Sequence, residues 1–183
     1  MENTKKISTQ QLAFIAVMTA VTCILGPLSL PIGIVPISLT NLAIYFSVYL
    51  LGGKRGTLSY LVYLFIGLIG IPVFSGFSGG FHKVFGPTGG YLIGFIFMAF
   101  ISGIFIDKFS SKIYMCFLGM ILGTIATYIF GTAWLAFQAN LTFNKALSLG
   151  VLPFILGDIA KMVLAALIAP QIKKRLQGAG LNK

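Results

Sequence analysis

An all-α membrane protein is the fold class that this sequence predicts. Hydrophobic residues make up 57% of its 183 positions and charged residues only 9%, with a mean hydropathy of +0.98. A soluble domain of this size carries about a quarter charged residues. The apolar residues come in long segments, and no polar stretch between them is long enough to form a second domain. We therefore expect residues 1–183 to form a single polytopic membrane domain.

Six apolar segments are expected to be transmembrane helices, because a helix needs about 20 apolar residues to cross a bilayer. Turn-forming residues set some of their ends, since Gly26-Pro27 ends the first segment and Pro72 ends the third. The second segment is short for a full span. The predicted helices cover approximately residues 11–25, 37–51, 57–71, 88–106, 112–138 and 149–172.

The basic residues indicate how these helices are oriented. If both termini are cytoplasmic, ten of the 13 basic residues lie on the inner side, and only Lys83 and Lys145 lie in outer loops. This bias is what the positive-inside rule predicts. We expect no nucleic-acid partner despite the net charge of +10, because no basic face with interleaved aromatic residues is present. The ten inner residues are Lys5, Lys6, Lys54, Arg55, Lys108, Lys112, Lys173, Lys174, Arg175 and Lys183.

One acid and one base lie inside the sixth predicted helix. Asp158 and Lys161 are three residues apart, so their side chains share a helix face. Each charge near the bilayer centre costs about 2.5–3.5 kcal/mol, which indicates that the pair serves a purpose. Two interpretations remain open. The charges neutralise each other and fix the helix register, or they line an outward-facing polar pocket, roughly 9–13 Å below the outer end of the helix.

A glycine-rich stretch, residues 70–94, is expected to form a loop over that pocket. Glycine at this density is incompatible with an ordinary helix. Non-helical backbone at membrane depth is tolerated where it is buried in protein or lines a cavity, and glycine lets backbone approach a ligand closely. The Pro-rich loop at residues 26–36 opens on the same side. The alternative is that residues 73–87 are a plain surface connection.

Motifs that would indicate an enzyme or a metal site are weak. Gly76–Gly80 formally matches G-x-S-x-G with His82 nearby, but the strand–turn–helix context of that motif is absent. No phosphate-binding loop occurs, so any ATP hydrolysis must come from another subunit. Cys23 and Cys116 lie far apart inside apolar segments without a partner His, as buried hydrophobic residues do. We expect no enzyme activity, no metal site and no cofactor.

Several motifs together resemble the BioY family, the substrate-binding S components of energy-coupling factor (ECF) biotin transporters. The match extends from about Ala13 to Arg175, and the Gly-Gly-Tyr run together with the acid–x–x–Lys pair makes it specific. The motifs are Val35-Pro-Ile-Ser-Leu-Thr40, Gly70-Ile-Pro-Val-Phe74, Gly86-Pro-Thr-Gly-Gly-Tyr91 and Pro153 through Lys161.

The resemblance implies a multi-pass protein of the bacterial plasma membrane with six helices, both termini cytoplasmic, that binds biotin from outside. It also implies an ECF transmembrane coupling protein and two ATPase subunits as partners. The first helix of S components carries small residues four apart at the contact with the coupling protein. Ala16 and Ala20 fit this spacing, although small residues also suit packing inside the bundle.

The resemblance further implies a set of biotin-binding residues. Asp158 and Lys161 match the acid and base of the family, and Tyr91 matches its tyrosine. A carboxylate accepts hydrogen bonds from ureido N–H groups, and an ammonium donates to the ureido oxygen or to the carboxylate tail. Aromatic residues are candidates to pack the rings, although such spacing also suits bundle core. The further candidate residues are Ser78, Thr40, Asn41, Phe74 and Trp134.

Two positions depart from the pattern of some family members. Ser78 stands where some have Asn, and Leu92 stands where some have Arg. Because Leu92 cannot form a salt bridge, the contact to the ligand carboxylate falls to Lys161, to Lys83 or to backbone N–H groups of the loop.

The resemblance therefore implies a high-affinity biotin-binding S component that is energised by separate ATPase subunits. The alternative is a stand-alone carrier that couples the movement of a small solute to protonation of Asp158. A membrane enzyme is the third class, and the missing nucleophile–base pair argues against it.

Overall fold

The computed structural model describes residues 8–110 and 112–178. This part of the chain is mostly helical, with one small antiparallel sheet in which Ser29 pairs with Ser38 and Leu30 with Ile37. The elements are α1 (Thr9–Leu25), β1 (Ser29–Leu30), β2 (Ile37–Ser38), α2 (Thr40–Leu51), α3 (Gly53–Leu68), α4 (Phe81–Val84), α5 (Gly89–Lys108), α6 (Ile113–Gln138), α7 (Phe143–Gly150) and α8 (Ile155–Gly178).

Three of these helices are long and apolar enough to cross a membrane. Helices α5, α6 and α8 have 20, 26 and 24 residues, with mean hydropathy of 2.1, 1.9 and 1.7 over their most apolar stretches. Helices α1 and α2 are apolar but shorter. The predicted helices at 11–25, 88–106 and 112–138 correspond to α1, α5 and α6 with small shifts at their ends.

Small residues bring α5 and α6 into close contact. A Cβ atom on Gly94 would lie 2.9 Å from the Cα of Thr127, and one on Gly123 would lie 2.7 Å from Ser102 Oγ. Larger side chains at either glycine would therefore push the two helices apart. Close approach through small residues is the usual way in which helices associate within lipid.

Buried tyrosines connect α2 and α3 to the rest of the bundle. The hydroxyl of Tyr45 lies 2.6 Å from that of Thr124 in α6. Tyr60 in α3 donates to the carbonyl of Leu92 in α5 at 2.7 Å, and Tyr63 donates to the carbonyl of Val73 at 2.9 Å. Each of these three hydroxyls thus has a partner, which offsets its cost of desolvation.

Helix α2 begins at Thr40, later than the predicted residue 37, because Ile37 and Ser38 pair as a strand. Helix α3 runs from Gly53 to Leu68 instead of the predicted 57–71. Its early start depends on Asp107 of α5, which accepts a hydrogen bond from the Gly53 N–H at 2.8 Å. The carboxylate thereby satisfies one of the free N–H groups at a helix start.

The predicted helix at 149–172 is wrong at its start, since a separate helix α7 ends at Gly150 and α8 begins at Ile155. The turn between them contains Pro153, which lacks an N–H donor and disfavours a helical conformation at the residue before it. Helix α8 continues beyond residue 172 to Gly178 through a basic segment. Apolarity alone could not predict that extension. The glycine-rich stretch also contains a short helix, α4.

Candidate ligand-binding site

A cavity lies between α2, α5, α6, α8 and the two loops that follow α1 and α3. It encloses about 630 Å³ of empty space, with the volume open to solvent included. Small-molecule sites likewise combine apolar walls with a few polar groups. Its apolar lining is Val35, Pro36, Phe74, Leu92, Phe95, Met98, Gly150 and Phe154, and its polar lining is Ser38, Asn41, Ser75, Lys83, Thr88, Tyr91, Thr127, Tyr128, Asp158 and Lys161.

The predicted acid–base pair lies in this cavity. Asp158 is 6% exposed and Lys161 is 8% exposed. Lys161 Nζ lies 3.1 Å from Asp158 Oδ1, as an i,i+3 pair on α8. The two side chains therefore face the protein interior, where a hollow adjoins them.

Lys161 does not pair with Asp158 alone. Its ammonium also donates to the carbonyl of Ser38 at 2.7 Å and to Asn41 Oδ1 at 3.1 Å. Three N–H donors thus meet three acceptors, which is the full capacity of an ammonium group. The lysine is held between α8, the end of β2 and the start of α2.

Asp158 is held by three donors. Asn41 Nδ2 donates to Oδ1 at 2.7 Å, and Tyr128 of α6 donates its hydroxyl proton to Oδ2 at 2.6 Å. Lys161 supplies the third donor. An ionised carboxylate offers about four lone-pair sites, so that one acceptor site remains, on Oδ2.

Tyr91 forms part of the wall with its aromatic ring. Its hydroxyl donates to the carbonyl of Gly150 at 3.0 Å. A Cβ atom on Gly131 would collide with the Tyr91 ring, and one on Gly150 would collide with its hydroxyl. Two glycines therefore make room for this side chain.

The glycine-rich loop closes one side of the cavity through its own backbone contacts. The N–H of Phe74 donates to the carbonyl of Ser78 at 2.8 Å, and the N–H of Gly76 donates to the carbonyl of Pro27 at 3.0 Å. The second bond joins this loop to the loop after α1. Gly76 has φ of 74°, a conformation that glycine adopts at no steric cost. Phe74 is fully buried and lines the cavity.

Three residues that the sequence predicted as binding residues do not line the cavity. Ser78 donates its hydroxyl to the carbonyl of Ser75 in its own loop. Thr40 accepts from the hydroxyl of Ser38. The Trp134 indole donates to the carbonyl of Gly86 at 2.9 Å. Their polar groups are used to hold the loops, whereas Asp158, Lys161, Tyr91, Asn41 and Phe74 do line the cavity.

Tyr128 and Ser38 are site residues that the sequence reasoning missed. In the sequence, a tyrosine inside a strongly apolar helix looks like any other aromatic core residue. A signal was nevertheless present, because Thr124, Thr127 and Tyr128 place three hydroxyls on one face of α6. That face makes the contacts to α2, α5 and α8.

Ala16 and Ala20 are exposed on α1. They therefore do not pack inside the bundle, which was the alternative explanation of their spacing. In the described residues, no group of three His, Cys, Asp or Glu side chains is placed to hold a metal ion. Cys23 and Cys116 are both free thiols.

Comparisons with known proteins agree with this architecture. Residues 1–178 match the model of the BioY family. The chain is 40% identical over 169 residues to the probable biotin transporter BioY of Pyrococcus horikoshii, covering 92% of this chain and 97% of that protein. It is 39% identical over 165 residues to the biotin transporter BioY of Thermotoga maritima, covering 90% and 96%.

A solved structure is also similar over nearly the whole chain. The crystal structure of the S-component for biotin from an ECF-type ABC transporter superposes with a TM-score of 0.84 at 37% sequence identity, covering 95% of each chain. The family match at residues 1–178 includes all of the residues that line the cavity. This chain belongs to the BioY family.

Proposed function

We propose that this chain is a high-affinity biotin-binding S component of an ECF-type vitamin uptake transporter. The observation that carries the proposal is the cavity in which Asp158, Lys161 and Asn41 form one buried hydrogen-bonded network. Relatives that align over nine-tenths of this chain are named biotin transporters. A buried ion pair that also borders a hollow is better explained by ligand binding than by helix register alone.

Biotin has a ureido group whose chemistry suits this network. Its N–H donor takes the remaining acceptor site on Asp158 Oδ2, beside the hydroxyl of Tyr128. Its oxygen accepts from the second N–H of Asn41, of which the network uses only one. Phe74 and Tyr91 pack the fused rings, in the way that apolar walls usually hold the body of a small ligand.

The membrane arrangement is part of the same proposal. Six helices of the single domain 1–183 cross the cell membrane, with both termini cytoplasmic and the cavity open to the outside. Three of the inner lysines, Lys5, Lys6 and Lys183, lie outside the described residues, so that this orientation rests on the sequence pattern.

ATP-driven uptake requires partners, because this chain has no phosphate-binding loop. We assign that role to an ECF transmembrane coupling protein and two ATPase subunits. Ala16 and Ala20 lie on an exposed face of α1 and leave room for a helix to approach closely. Contact of this face with the coupling protein explains two small residues at a lipid-accessible position.

Reconstitution in liposomes tests the proposal against the rival classes. The chain alone should bind biotin without sustained uptake, and uptake should appear when the coupling protein, the ATPase subunits and ATP are added. A proton-coupled carrier would instead move substrate alone, with a rate that follows the pH gradient. An enzyme would release an altered product. Uptake by the isolated chain that needs no ATP would contradict the assignment.

A further inference from the structure

The cavity contains a second cation that the acid–base network does not use. Lys83 of α4 lines the same cavity and is half-buried. Within the described ranges 8–110 and 112–178, its ammonium has no hydrogen-bond or ion-pair partner. Lys161 differs in this respect, because its three donors are already bound to protein acceptors.

The charges that line the cavity do not balance. Asp158 neutralises Lys161, which leaves the positive charge of Lys83 uncompensated among the lining residues. A ligand with one negative charge restores neutrality. Because most of the exposed surface of the cavity wall is apolar, a charge pair formed there is screened less than one on an open surface.

The position of Lys83 is fixed by bonds that follow it in the chain. The carbonyl of Phe85 accepts from the Gln138 side chain, and the carbonyl of Gly86 accepts from the Trp134 indole. Both donors are on α6. They hold the segment between α4 and α5 against the bundle, so that the lysine is kept at the cavity and is not free to leave with a mobile loop.

We propose that Lys83 binds the carboxylate tail of the ligand, at a subsite separate from the network of Asp158 and Lys161. Thr88 adds a hydroxyl to this subsite, since it lines the cavity and makes no capping hydrogen bond to α5. The inference rests on the proposed function, because it takes biotin as the ligand. It assigns ureido recognition and carboxylate recognition to different elements of the fold.

Comparing biotin with biotinamide tests this assignment. The amide keeps the rings and the ureido group but carries no negative charge. Dissociation constants of both ligands should be measured by titration calorimetry for the wild type, for Lys83→Gln and for Lys145→Gln. Lys145 is the matched control, because it is exposed on α7 and does not line the cavity.

The wild type and Lys145→Gln should bind biotin at least tenfold more tightly than biotinamide. Lys83→Gln should lose about tenfold for biotin and keep its affinity for biotinamide, which also shows that the variant is folded. An unchanged preference for biotin in Lys83→Gln overturns the inference, and so does equal affinity of the wild type for both ligands. If the wild type binds neither ligand, the proposed function itself fails.

Discussion

Replacing Lys161 by Met separates the two interpretations of the buried ion pair. The substitution removes the bonds to Ser38, Asn41 and Asp158 and leaves a buried carboxylate without its counter-ion. Breaking a buried pair costs about 3–5 kcal/mol. Because Asp158 keeps Asn41 and Tyr128 as donors, we expect about 3 kcal/mol, the low end of that range. For a chain of this size, the melting temperature should fall by roughly 6–12 °C.

Binding should be affected at the same time. The ligand site loses the group that fixes Asn41 and Asp158, and we expect biotin affinity to fall at least tenfold, or about 1.4 kcal/mol. Thermal unfolding in detergent measures the first effect, and equilibrium dialysis with labelled biotin measures the second. Lys145→Met is the control and should change neither quantity, because this lysine is exposed on α7.

The double variant Asp158→Asn/Lys161→Met decides what the pair is for. Removing both charges relieves the uncompensated carboxylate, so that most of the lost melting temperature should return. Biotin affinity should remain low, because the ligand still lacks its charged partner. If the double variant recovers stability and affinity together, the pair serves helix register only. If Lys161→Met changes neither quantity, the reasoning about this network is wrong.

Two further predictions concern α6 and α1. Tyr128→Phe removes the hydroxyl that donates to Asp158 Oδ2 at 2.6 Å. Because a hydrogen bond to a charged group contributes about 1.5–3 kcal/mol, we expect biotin affinity, measured by calorimetry, to fall about tenfold. Tyr45→Phe is its control and should bind normally, because that hydroxyl pairs with Thr124 and neither residue lines the cavity. Replacing Ala16 and Ala20 by Leu should preserve biotin affinity and reduce co-purification with the coupling protein; undiminished co-purification would argue against this contact surface.

The sequence is most informative where the physical cost of a residue is conspicuous. A charge inside an apolar segment is expensive, so that Asp158 and Lys161 stand out, with a polar pocket or a fixed helix register as the two interpretations. The cavity beside them favours the pocket. Glycine density likewise predicted the irregular loop after α3, although the short helix α4 within it was not foreseen.

Residues whose role depends on three-dimensional packing could not be predicted in this way. Tyr128 meets Asp158 across 30 positions of sequence, and the hydroxyls that it shares with one face of α6 do not tell which residue they meet. The difference between Lys83 and Lys161 also needs coordinates. In sequence both are basic residues near apolar segments, and only the structure shows which protein acceptors surround each ammonium group. The start of α8 was misplaced because hydropathy does not register the turn at Pro153.

An experimental structure of the complex with biotin tests the central claim most directly. We expect density for the ligand in the cavity between α2, α5, α6 and α8. Its ureido group should lie within hydrogen-bond distance of Asp158 and Asn41, and its carboxylate beside Lys83. Biotin bound elsewhere on the protein, or a cavity that stays empty at saturating biotin, would contradict it.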